Sequence, residues 1–146
     1  MSMNKKQIKG LVIDVLKEIP RGYSEKAVTA IMMIIAHESK GGHYIEQVSG
    51  PALGITQIEP TTHDDIWLNG DSISANASIM GITQNVNRLK YDLRYAIFMT
   101  RQRLFMDSNP LPSDPIELSV YLKSFWNSES GSANEMSYYN DFNEWR

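Results

Sequence analysis

Apolar residues recur at helical spacing along most of the chain, and the places where that spacing fails divide it into elements. Residues 5–18 carry Ile8, Val12, Val15 and Leu16 on one face, and Pro20 with Gly22 closes the segment. This pattern predicts a first amphipathic helix. A second is predicted from Glu25 to about Ser39. Ser24 is a good N-cap, Val28, Ile31, Met32, Ile34 and Ile35 crowd more than one face, and Gly41-Gly42 stops the run. A helix this apolar belongs at the centre of a core. From His43 to Glu59 the helical period is lost and Gly50, Pro51 and Gly54 punctuate the chain, which predicts a loop or a small β-hairpin. Pro60 then opens a short helix to about Leu68.

Asn69 to Asn76 reads as a polar loop. Ile79, Ile82, Val86 and Leu89 restart a helical pattern, which resumes after Tyr91 with Leu93, Ile97, Leu104 and Phe105, as one kinked helix or as two. Ser108 to Pro115 contains three prolines and is the strongest breaker. Within it, Asp114-Pro115 pairs a cap with a first-turn proline and predicts a helix to about Trp126. After a Ser/Gly loop at Ser128 to Ser132, a last amphipathic segment carries Met136, Tyr139, Phe142 and Trp145. The predicted fold class is mainly α. No repeat or linker interrupts residues 1–146, so a single domain is expected.

Composition narrows the function classes. With 146 residues, 42% of them hydrophobic, the chain can bury a substantial core. A net charge of −3 and scattered Lys and Arg argue against a nucleic-acid partner. The absence of cysteine excludes disulfides, thiolate metal sites and a cysteine nucleophile together. No apolar run is long enough for membrane insertion, and the polar Met1 to Lys9 segment carries no signal-peptide pattern. A substrate outside the cytoplasm would therefore require delivery through a pore, a secretion machine or a virion.

Glu38 follows Ile35, Ile34 and Ile31 by three, four and seven positions, which places it on the apolar face at the end of the second helix. Burial there would favour a neutral carboxylic acid, the form that can protonate a departing sugar oxygen. Position alone leaves open a helix-terminal glutamate turned to solvent. His37-Glu38 does not form a metalloprotease helix, because the second histidine would fall at position 41, which is Gly41. His43 and His63 add no ligand spacing, so no metal and no cofactor are expected. His63-Asp64-Asp65 reads as the first turn of the helix after Pro60.

Beyond Glu38-Ser39, the chain continues after a loop as Ala52-Leu53-Gly54-Ile55-Thr56-Gln57-Ile58-Glu59-Pro60-Thr61-Thr62. These segments resemble the catalytic Glu-Ser pair and the Gly-x-x-Gln-x-x-Pro-x-Thr segment of lytic transglycosylases and goose-type lysozymes, above all the compact bacteriophage forms. Tyr121 to Gly131 resembles that family's aromatic-Asn-x-x-x-Gly segment. The order of the three segments is the stronger signal.

The resemblance implies a lysozyme-like helical domain that cleaves the β-1,4 bond between N-acetylmuramic acid and N-acetylglucosamine in peptidoglycan, with Glu38 as acid and base. Ser39, Gly54, Gln57, Glu59, Trp126 and Asn127 would meet substrate. Peptidoglycan would be the partner, together with other virion proteins if the chain travels in a virion. Host-cytoplasmic synthesis would be followed by holin release or virion delivery to the periplasm or cell wall. A non-catalytic glycan-binding component of the same fold is the alternative.

Two departures from the family stand out. Trp126 replaces a tyrosine whose hydroxyl approaches the acid, leaving Tyr121, Tyr138 and Tyr139 as substitutes. Thr56 replaces a methionine and would give the groove a smaller, more polar wall. Trp67 and Trp145 read as core, whereas Trp126, beside Asn127, is the tryptophan expected to meet sugar. Hydrolysis needs a second carboxylate, for which Glu59 and Glu46 are the candidates, whereas transglycosylation needs Glu38 alone.

Overall fold

The computed structural model describes residues 2–127 and 134–146, and it is mainly helical. The expected loop at 128–132 and the end of the Asn-x-x-x-Gly segment lie outside the described residues. Helix α1 (Lys5–Glu18) starts where the Asn4 side chain accepts the Gln7 N–H, and it buries Ile8, Val12, Val15 and Leu16. Helix α2 (Glu25–Glu38) is capped by the Ser24 hydroxyl, which accepts the Ala27 N–H at 3.1 Å. Nine of its fourteen residues are buried, because it packs against α1 and against three helices from later in the chain.

The segment between α2 and the next helix is a loop pinned by isolated antiparallel bridges, Glu46 to Leu53 and Leu53 to Ile58. It adheres to the core through Ala52, Ile55 and Ile58, all buried. Gly54 is a backbone requirement of this loop. Its φ is +84°, and a Cβ there would overlap the carbonyl oxygen of Leu89. Gly54→Ala is expected to cost about 1–3 kcal/mol, the range for a strained backbone position. The check is a lower denaturant midpoint at unchanged slope.

Helix α3 (Pro60–Asn69) is followed by α4 (Ile73–Met80), α5 (Arg88–Tyr91) and α6 (Leu93–Phe105). Two expectations fail here. The polar stretch 69–76 is not all loop: α4 begins within it, because Ile73, Asn76 and Ala77 form its buried face. The pattern Ile79 to Leu89 is not one helix, since Gly81 ends α4 in the left-handed conformation and leaves Ile79 68% exposed. After an irregular segment, α5 makes a single turn. Asp92 then separates α5 from α6, its carboxylate accepting the Tyr95 N–H at 3.0 Å.

Helix α7 (Pro115–Leu122) is capped by Asp114 and is shorter than expected. Its continuation, Lys123–Asn127, is a π-helical turn rather than α-helix. Helix α8 (Ser137–Glu144) closes the described chain. It is tied to α2 by the His37 Nδ1 to Asp141 contact at 2.7 Å. A second clasp adjoins it: the Met3 N–H donates to the Gly41 carbonyl at 2.8 Å and the Trp145 indole N–H to the Met3 carbonyl at 2.9 Å.

Candidate active site

Glu38 is the last residue of α2, and its carboxylate is half-buried where α2, the π-turn and α8 meet. Two donors from distant parts of the chain converge on one of its oxygens. The Tyr138 hydroxyl donates to Oε2 at 2.5 Å, and the Asn127 amide Nδ2 approaches the same oxygen at 3.5 Å. The first is a short hydrogen bond, and the second lies at the long limit of hydrogen bonding. Both of these bonds end on Oε2, and among the described residues no hydrogen bond ends on Oε1.

Tyr138 is fully buried and stacks at a tilt on the His37 ring, with centroids 4.5 Å apart. Burial foremost, then the Glu38 charge and the hydrogen bond to it, push the Tyr138 phenol above its ordinary value. It therefore stays protonated and remains a donor at neutral and moderately alkaline pH. Of the three substitute tyrosines, Tyr138 takes the place beside the glutamate. Tyr121 donates instead to Asp107 at 3.0 Å, and Tyr139 uses its backbone N–H to reach the Ser119 hydroxyl.

Asn127 has a second feature: its Oδ1 is buried and has no hydrogen-bond partner among the described residues. A buried acceptor without a partner is uncommon in a settled interior.

Several expected substrate contacts have structural work in this fold. Trp126 is only 5% exposed and belongs to the core, so it is not a sugar platform. The π-turn directs its indole inward while Asn127 faces the glutamate. The Ser39 hydroxyl is buried, donating to the Ile35 carbonyl at 3.1 Å and accepting the Gly42 N–H at 2.9 Å, and so it closes the end of α2. Gly54 is buried under Leu89. Gln57 sits at φ +52° and donates from Nε2 to the Gly54 carbonyl at 2.8 Å, which locks the loop from within. Thr56 is no groove wall: fully buried, it shares a 2.8 Å bond with Thr100 on α6. The Thr100 hydroxyl already donates to Ala96, so Thr56 is the donor in that pair.

The two candidate second carboxylates part company. Glu46 forms an exposed ion pair with Lys90 at 3.3 Å. Glu59, exposed at the start of α3, shares the field of the Arg103 guanidinium with Glu38. Sequence reasoning did not single out Arg103. Its carbonyl partner lies on Trp126, 23 positions later, and nothing local distinguishes it from a surface arginine.

His63 is a further departure. It is fully buried rather than a simple first-turn residue. The Tyr95 hydroxyl accepts N–H groups from Trp67 at 3.0 Å and Asn85 at 3.2 Å, and therefore donates its own proton to His63 Nε2 at 2.6 Å. His63 Nδ1 is left to donate to Asp64 at 2.9 Å. This network braces α3 against α6 and against the segment after α4.

No family model, curated protein or solved structure matches this chain. The functional reading therefore rests on the quoted sequence segments and on the geometry around Glu38.

Proposed function

We propose that this chain cleaves the glycan strand of peptidoglycan at the N-acetylmuramic acid to N-acetylglucosamine β-1,4 bond, as a lytic transglycosylase or muramidase with a lysozyme-like fold. The observation that carries this reading is the convergence of Tyr138 and Asn127 on Glu38 Oε2. Two fixed donors on one oxygen orient the carboxyl and hold the other oxygen for chemistry. In the first step Glu38 gives its proton to the glycosidic oxygen, that bond breaks, and the sugar passes through an oxocarbenium-like state. The carboxylate that remains is stabilised by the Tyr138 hydroxyl and takes a proton from the incoming nucleophile.

We favour transglycosylation, in which the muramic acid 6-hydroxyl is that nucleophile and no second carboxylate is required. Glu46 is engaged with Lys90, and Glu59 is exposed. The expected products of purified sacculi are 1,6-anhydro-muropeptides, read by mass spectrometry. Products with reducing ends alone would reject transglycosylation in favour of hydrolysis. Glu59→Gln would then be the variant to lose turnover. Binding to sacculi with no soluble fragments over hours and across pH would reject cleavage altogether and support a glycan-binding component.

A further inference from the structure

The π-turn is the least self-sufficient element around Glu38. Such turns insert one residue into a helix and rarely persist without outside support. Here the support comes from α6. Arg103 Nη2 donates to the carbonyl of Trp126, within the π-turn, at 3.3 Å. The same guanidinium lies 4.2 Å from the centroid of the Trp126 ring and 5.9 Å from that of Phe125. It thus grips the turn by its backbone and by its aromatic face at once. Glu38 on α2, Glu59 before α3 and Asp65 on α3 face the cation, and their charges oppose the desolvation it suffers on burial, while the neutral Tyr138 phenol lies on the same side. Arg103 also borders a cavity of about 250 Å³ with Thr62, Asp65 and Phe125.

We propose that Arg103 is a positioning residue that acts through Asn127: by clamping Trp126 it holds the π-turn in the shape that presents the Asn127 amide to Glu38. This inference rests on the reading of Glu38 as the acid. Lysine could supply the charge but not the planar stack together with the fork of donors.

The test compares Arg103→Met, Arg103→Lys, Asn127→Ala and the Arg103→Met/Asn127→Ala double variant, each with its melting temperature, kcat and KM on purified glycan strands. Arg103→Met is expected to lower kcat about tenfold with little change in KM, the loss of one well-placed hydrogen bond. Arg103→Lys should fall between it and the wild type. The double variant should be no slower than Asn127→Ala within about twofold, since coupled residues do not add. Additive losses would overturn the proposal, as would an Arg103→Lys protein indistinguishable from the wild type.

A second readout needs no turnover: the Asn127 side-chain amide resonances should shift in Arg103→Met and, less, in Arg103→Lys. Unmoved resonances in a folded variant overturn the clamp. A wild-type protein that cleaves no glycan would instead reject the Glu38 reading, with the amide shift still deciding the clamp. If Arg103→Met fails to fold, Arg103→Lys carries both measurements.

Discussion

Glu38→Gln is expected to reduce release of soluble fragments from sacculi by at least about 10²–10⁴-fold, the contribution of a positioned general acid. The substitution keeps the size and shape of the side chain. The Tyr138 hydroxyl can still donate to an amide oxygen, as can Asn127, so the contacts at Oε2 survive in kind. What is lost is the ability to give up and take back a proton. Thermal unfolding should therefore change little, while turnover collapses and binding to sacculi persists. A Glu38→Gln protein that cleaves at the wild-type rate would sink the assignment of the acid and with it the proposed activity.

The second large effect is expected from Tyr138→Phe. The ring is fully buried against His37, and phenylalanine fills the same space, so packing is kept. The 2.5 Å bond to Glu38 disappears. A hydrogen bond to a charged group contributes about 1.5–3 kcal/mol, which corresponds to roughly 10–150-fold in kcat if it is made to the carboxylate left after proton delivery. Burial and the Glu38 charge hold the Tyr138 phenol protonated, so the pH–rate profile of the wild type should carry no limb from this tyrosine near neutrality. Tyr121→Phe is the control, because its hydroxyl belongs to Asp107. It should retain near-wild-type kcat. Equal losses in the two variants would show that generic packing, and not the bond to Glu38, sets the rate.

These outcomes bear on why a central helix ends in a carboxylate. Nine buried residues hold α2 rigidly among α1, α6, α7 and α8, and Glu38 emerges at its last position. The left-handed residues Lys40, Gly41 and Gly42 then turn the chain away. The clasp of Met3, Gly41 and Trp145, together with the His37 to Asp141 contact, fixes α8 against α2. That fixes Tyr138 on the glutamate. Residues that do not touch the carboxylate, among them Met3, Gly41, Asp141 and Trp145, therefore help to hold the site in place.

Local sequence determined a good deal of this protein. The period of apolar residues, the caps at Ser24 and Asp114 and the breakers at Pro20, Gly41 and residues 108–115 define α1, α2, α3 and α7 and the loop that follows α2. Those signals act over a few residues, where helical spacing and capping are decided. The spacing that puts Glu38 at the end of the apolar helix was legible for the same reason, and so was Asn127 through its motif. Between residues 69 and 92 local signals misled, because Ile73 and Ala77 are buried by tertiary neighbours and Ile79 is not. Only the tertiary structure decided which tyrosine meets Glu38, 100 positions away, that Trp126 turns into the core, and that Arg103 on α6 grips the π-turn. Hydrogen bonds between residues so far apart leave no period or spacing in the chain. They are settled when the helices pack, and at this site that packing gives Glu38 its partners.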